Sequence, residues 1–255
     1  MRDKRNCLSH WFPLIEAAGL PVPKTRILKA PNEFWRLIDD QRVEGLNEFL
    51  EGLHAAALEV GGYPVFLRTG QGSGKHSWLD TCFVQSESDL LDHVYALCEW
   101  SECVDMMGLP YDVWVVRELL PTQPLMRAYR GMPVCREFRA FAKDGTVLCV
   151  HPYWPKGSLL EGLSYGELRE GSSLLEEPER QFPADFPLKY NALCELSLAD
   201  EAAIKELAER ASAAVGGTWS VDLLDTERGW FLTDMAVAVE SWHWPDCKMA
   251  SAISS

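Results

Sequence analysis

Seven charged side chains stand where they could do chemistry instead of only solvating a surface. Arg68 closes the apolar run Pro64-Val-Phe-Leu-Arg68, and Thr69 to Ser77 follows with three glycines and Lys75. Glycines let backbone N–H groups approach oxygen atoms closely, and the two cations add charge, so a triphosphate suits the stretch. Glycine-rich hairpin tips also occur in proteins that bind nothing. A Walker phosphate loop fails here: Thr69 takes the place of its first glycine, and His76 that of its hydroxyl. Asp222 and Asp234 stand twelve positions apart across a turn at Glu227-Arg-Gly229 and can face each other in a hairpin. Two such carboxylates repel unless a divalent cation lies between them, and magnesium prefers oxygen ligands and the company of phosphates. The other reading turns one of them to solvent. Glu118 ends an apolar run just before Pro121, beside backbone groups that could hydrogen-bond a purine; it could equally be a surface residue. Arg136 and Arg139 interrupt an apolar strand, where arginines are costly unless they pair or bind anions.

The elements that must position these groups are legible in order. Residues 10 to 30 predict a short helix closed by Gly19, then a strand over Thr25 to Leu28. Asn32 to about Val60 reads as helix, with Gly45 able to split it. Two strands, Pro64 to Arg68 and Trp78 to Val84, flank the glycine-rich loop. A helix from about Ser86 to Ser101 and a strand over Asp112 to Leu120 follow. Pro133 to His151 predicts a hairpin turning at Lys143-Asp-Gly145, with Arg136 and Phe138 on one face and Glu137 and Arg139 on the other. Residues 152 to 192 are proline-rich and acidic, and read as an irregular insertion or lid. The helix over 200 to 215 ends at Gly216-Gly217 and leads into the hairpin that carries both aspartates.

Composition narrows the class. At 255 residues the chain can bury one large core or a few joined subdomains. Thirty-eight acidic against 24 basic side chains give a net charge of −14, the wrong balance for a nucleic-acid binder. No apolar run approaches the roughly 18 to 20 residues that span a bilayer, and no apolar core follows the basic N-terminus. A cytoplasmic protein without a membrane partner is expected. The eight cysteines form no C-x-x-C pair, which argues against a zinc ribbon. Cys82, Cys135 and Cys149 read as small buried hydrophobes in strands. His93, Cys98 and Cys103 could be drawn as a metal cluster, but a helical core or surface role suits them better.

The order of these parts resembles the ATP-grasp superfamily, and within it the D123 (cell-division-cycle-123) and R2K-type branches. The likeness rests on Arg68-Thr with Ser73-Gly-Lys75, Arg136-Glu-Phe-Arg139, Val221-Asp222-Leu, Leu232-Thr-Asp234-Met-Ala, and Leu20-Pro-Val-Pro-Lys-Thr25. It implies an α/β (α+β) fold of two α+β subdomains clasping a nucleotide. Residues 1–62 would form a pre-grasp segment, 63–120 the N-terminal subdomain, and 121–255 the C-terminal subdomain with the 152–192 insertion. It implies ATP and Mg²⁺ as cofactors. Arg68, Ser73, Gly74 and Lys75 would hold phosphates, Glu118, Leu119 and Leu120 the adenine, and Asp222 and Asp234 the metal. Arg136 and Arg139 would face the transferred phosphate or an acid substrate. Where relatives place Asn two residues after the second acid, this chain has Ala236, and Glu240 is the alternative source of a ligand. The implied reaction joins an unidentified small-molecule or peptide carboxylate to an amine through an acylphosphate. The alternatives are a D123-like ATP-binding assembly factor for a client protein and a phosphotransferase.

Overall fold

The structure is a computed structural model that describes residues 3–104, 108–165 and 183–253. A 3-10 turn, Lys4–Asn6, leads into α1 (Leu8–Ala17), which buries Leu8, Trp11, Phe12 and Ile15 along one face. Gly19, at φ 66°, reverses the chain into β1 (Thr25–Lys29). The expected helix after residue 32 is two pieces, a 3-10 turn at Phe34–Leu37 and α2 (Leu46–Val60). They part at Gly45, whose φ of 79° no helix can continue. β2 (Val65–Thr69), β3 (Phe83–Val84), α3 (Leu90–Cys103) and β4 (Val113–Glu118) follow.

The strand predicted over Trp78 to Val84 shrinks to its last two residues. The Thr81 hydroxyl donates to the carbonyls of Gly74 and Ser77, and the Thr81 amide also donates to Ser77. These local bonds wind the chain into turns and carry Trp78 under the sheet, against Phe66 and Phe83.

The second half contains β5 (Met126–Ala128), β6 (Met132–Val134), β7 (Glu137–Lys143), β8 (Thr146–Pro152), α4 (Lys156–Tyr165), α5 (Phe186–Cys194), α6 (Leu198–Val215), β9 (Thr218–Thr226), β10 (Gly229–Val237) and α7 (Ala250–Ile253). The tight turn expected between β7 and β8 is present, with Asp144 and Gly145 both at positive φ. The stretch read as an irregular insertion supplies α4 and α5, and residues 166–182 of it lie outside those described. Its Trp154, Leu159 and Phe186 bury against Met126, Val134 and Trp78, so its ends are core.

Two antiparallel sheets organise the molecule, in the orders β1-β4-β2-β3 and β10-β9-β7-β8. Each has one apolar and one functional face. In the first, Val65, Leu67, Trp114 and Val116 pack under α2 and α3, which leaves Phe66, Arg68 and Arg117 on the other side. In the second, Phe138, Ala140, Val221 and Leu223 pack under α6 and α1, which leaves Glu137, Arg139 and Asp222 opposite. A boundary at residue 62 does not separate units. β1 pairs with β4 inside the first sheet, while α1 packs in the core of the second together with Val115 of β4. No described helix is long and apolar enough to cross a membrane.

Candidate functional site

A cavity of about 360 Å³ lies between the functional faces of the two sheets, within the size range of small-molecule sites. Arg68 reaches it from β2, and Glu118, Leu119 and Leu120 reach it from the end of β4. Ser73, Gly74 and Lys75 line it from the glycine-rich loop, and Asp222 and Asp234 from β9 and β10. All nine are residues that the sequence points to, and the fold brings them around one cavity.

The loop is tighter than its composition implies. The Thr69 hydroxyl and amide both bond to Gly72, closing a four-residue turn. A Cβ at Gly72 would lie 2.5 Å from the Trp100 ring, and one at Gly70 would lie 2.4 Å from Cys7 Sγ. Those two glycines admit neighbours, and Gly74, at φ 58°, turns the chain into Lys75.

Lys75 points its ammonium at Glu137, 3.7 Å away, across the rings of Tyr153 and Trp154 at 4.1 and 4.7 Å. Burial pulls the ammonium down, but the Glu137 carboxylate, with Tyr153 and Asp222 behind it, holds it above its ordinary value. Glu137 is 7% exposed, and burial pushes it up to about 7, against Lys75 and with Asp222. Arg68 pairs with Asp234 at 3.0 Å. Beside it Arg117, 3% exposed, donates from Nη1 to the Thr233 carbonyl, while its Nε and Nη2 have no partner. Burial and then Arg68 lower its guanidinium to about 9, with Asp234 opposing.

The aspartates face each other because β10 is irregular. Leu232 pairs with Leu223 and Asp234 with Asp222, which leaves Thr233 as an extra residue. The bulge shifts the alternation by one, so Leu232 and Met235 both reach the core while Asp234 turns to the cavity beside Asp222. Asp222, Asp234 and Glu137 are the carboxylates lining the cavity that could hold a divalent cation.

Two expected residues are placed elsewhere. Arg136 leaves the cavity for the outer side of the sheet, where it bonds Asp225 at 2.7 Å, Asp200 at 2.9 Å and the Glu195 carbonyl, and stacks on Trp230. Arg139 does not line the cavity; its fork grips Asp222 at 2.7 and 2.8 Å. Strand alternation separates the pair, and each arginine goes to the carboxylates on its own side. Glu118 lines the cavity, but its carboxylate is taken by the Lys24 amide and Arg228, at 2.9 and 3.1 Å. That leaves Leu119 and Leu120, beyond the last sheet pairing, to offer main-chain groups. Glu240 is absent from the cavity wall, because its carboxylate binds the Asp3 amide and the Asn6 side chain.

Glu137, Arg117 and Tyr153 are cavity residues that sequence reasoning did not choose. Glu137 shared a predicted face with Arg139, which was a usable signal. Arg117 and Tyr153 had none beyond their neighbours. The cluster drawn from His93, Cys98 and Cys103 does not form: His93 donates to the Thr81 carbonyl, Cys98 is buried and Cys103 is exposed.

The fold has counterparts among solved proteins. C-terminally truncated Cdc123 from Schizosaccharomyces pombe matches 91% of this chain and 83% of its own at 14% identity, with a TM-score of 0.50. The chain has an ATP-grasp fold. Other ATP-grasp structures align over the same share of the chain. A RimK domain ATP-grasp protein from Sphaerobacter thermophilus DSM 20745 does so at 16% identity and TM-score 0.47. D-alanine–D-alanine ligase from Bacillus anthracis, complexed with ATP, does so at 10% and 0.44. The chain spans 58% and 53% of the length of those two. No protein-family model and no curated protein matches the sequence. At these identities the likeness is one of fold.

Proposed function

We propose that this protein binds ATP with Mg²⁺ between its two sheets and uses it to join a carboxylate to an amine. The observation that carries the reading is the lining of this one cavity. Two buried arginines, a lysine at a glycine turn, free main-chain groups after Glu118 and three carboxylates meet there from β2, the loop after it, β4, β7, β9 and β10. Arg68, Lys75 and the unpartnered donors of Arg117 suit phosphate oxygens. Leu119 and Leu120 suit the adenine edge.

The carboxylates fit a divalent cation. Burial is the main cause that pushes Glu137 up, with Asp222 and Asp234 adding to it against Lys75 and Arg139, and a cation held by the three carboxylates would favour its charged form. Asp222 and Asp234 would hold it, with Glu137 in place of the oxygen that Ala236 lacks. Arg139 and Arg68 must then share those aspartates. Magnesium would spread the charge of the phosphates and keep them in one orientation. In the reaction, a substrate carboxylate oxygen attacks the γ-phosphorus and ADP leaves. The amine then attacks the acyl carbon and releases phosphate. The cations stabilise the moving charge, and Trp78, Trp100 and Trp154 keep water from the acylphosphate.

A second reading has its own support. Both aspartates are already neutralised by arginines and Ala236 offers no ligand, which suits an ATP-binding protein that performs no transfer and docks a client protein. Two measurements separate the readings. Mg·ATP at a hundredfold excess over its Kd should stabilise the fold by about 2.7 kcal/mol, and Arg68→Ala and Lys75→Ala should each blunt the rise in Tm. Release of ADP that requires an added acid and amine together marks the ligase; ATP binding with no such turnover marks the second reading. No thermal shift at millimolar Mg·ATP would overturn both.

A further inference from the structure

We propose that Cys149, His151, His243 and Cys247 bind one zinc ion in a closed structural site that ties the C-terminal tail to β8. None of the four lines the cavity between the sheets. Cys149 is not the buried strand hydrophobe that its surroundings in sequence suggest. It and His151 alternate on one face of β8, opposite Phe141 and Arg139 of β7, and both are half-buried. His243 and Cys247 come from the chain after β10, more than ninety positions later, and settle on that face. The four candidate ligand atoms lie within 4.8 Å of one another.

The donor set and its surroundings point to a metal. Two thiolates and two imidazoles make the S₂N₂ set that structural zinc takes, and their two negative charges balance the ion in a half-buried place. With Zn–S near 2.3 Å and Zn–N near 2.0 Å, a tetrahedral site puts sulfur and nitrogen about 3.6 Å apart. Cys149 Sγ and His243 Nε2 are already 3.3 Å apart. His151 Nε2 is buried with no hydrogen-bond partner. The Met249 amide donates to Cys247 Sγ at 3.4 Å, a bond that supports a thiolate. Phe141 meets the His243 ring edge to face at 4.5 Å, and Trp244 lies over His151 at 6.3 Å, so the rings are held by packing. All eight cysteines are free thiols, so no disulfide consumes the pair.

The site also reaches the cavity indirectly. The Trp242 carbonyl, next to His243, accepts from Arg139 Nη1 at 3.2 Å, and Arg139 grips Asp222. Tyr153, two positions beyond His151 and just past the end of β8, packs on Lys75 and Arg139. A zinc ion there would steady both.

The test uses the full chain purified under reducing conditions without chelator. Elemental analysis should find about one zinc per chain, and Cys149→Ser and His243→Ala should each cut that at least tenfold. Cys103→Ser, an exposed cysteine outside the cluster, should leave it unchanged. Metal-free protein titrated with Co²⁺ should develop the visible bands of a tetrahedral thiolate–imidazole site, which Zn²⁺ then abolishes. Removing zinc should lower Tm and expose two further thiols to alkylation, mapping to Cys149 and Cys247. The Co²⁺ titration decides the matter even where a variant does not fold. Wild-type protein with neither stoichiometric zinc nor a tetrahedral Co²⁺ spectrum overturns the proposal, as does a Cys149–Cys247 disulfide in the freshly purified chain.

Discussion

At the scale of single residues, the cavity and the outer face use the same chemistry for different ends. Burial pushes Glu137 up to about 7, yet its carboxylate is also what the Lys75 ammonium faces at 3.7 Å, so Glu137→Gln should cost the ligand-free protein on the order of 3 kcal/mol by leaving that buried charge without its partner. If Glu137 completes the magnesium site, the same variant should weaken Mg²⁺-dependent ATP binding tenfold or more, while Ala236→Asn should change it little. A magnesium titration that treats Glu137→Gln as wild type would remove it from the site. Arg136 answers to pH instead. Its hydrogen bond is the largest of the causes that hold Asp200 at about 2, and Ser197 and Trp230 add to it against burial. The folded value lies below the ordinary carboxylate value of 3.8, so the stabilisation is present at neutral pH and is lost as pH falls from about 4 towards 2. With the Asp200 side chain 27% exposed, screening leaves on the order of 1 kcal/mol. Urea unfolding should show Asp200→Asn weaker than wild type at pH 7 and the two converging near pH 2. A gap that stays constant across that range would rule out the ion pair as its source.

At the scale of elements, the loop after β2 and the bulge in β10 decide what the cavity contains. Gly72 is where Trp100 of α3 packs, and a Cβ there would stand 2.5 Å from its ring. Overpacking of this kind costs about 1–3 kcal/mol and displaces what it meets. Gly72→Ala should therefore lower stability and, because Trp100 also lines the cavity, weaken ATP binding. Trp100→Leu in the same chain should recover much of the stability, since the two changes meet at one contact. Purely additive losses in the double variant would show that the clash is not the cause. The hairpin strands themselves were legible from alternation and from the turn at Glu227 to Gly229. The bulge was not, because nothing about Thr233 as a residue type marks it as the extra one.

At the scale of the whole molecule, the N-terminal segment joins the halves. The Leu8 amide donates to the Gly70 carbonyl of the first half, while Leu232 of β10 donates to Pro21. Trp11, fully buried, lies under Arg117 in a core shared by β4 and the second sheet. Trp11→Ala should cost about 3–5 kcal/mol, as for other buried aromatic truncations. Denaturant unfolding followed by fluorescence and by circular dichroism should shift together. A loss below about 1 kcal/mol would mean that α1 is an appendage.

What the sequence determined on its own is local or periodic. Alternation placed Arg136 and Arg139 on opposite faces, glycines ended α1, α2 and α6, and Lys143-Asp-Gly145 turned a hairpin, because those outcomes depend on bond geometry within a few residues. The order of such parts was enough to anticipate an ATP-grasp fold. Tertiary structure alone decided which face of each sheet met the cavity, since alternation sets faces relative to each other and not relative to a partner sheet. It decided that Asp234 shares a face with Asp222, through a bulge whose extra carbonyl Arg117 caps. It gave Arg139 to Asp222 and Arg136 to Asp200, a choice made by which carboxylates each strand passes. It also brought Cys149 and His151 to His243 and Cys247, residues too far apart in the chain for any spacing to announce them.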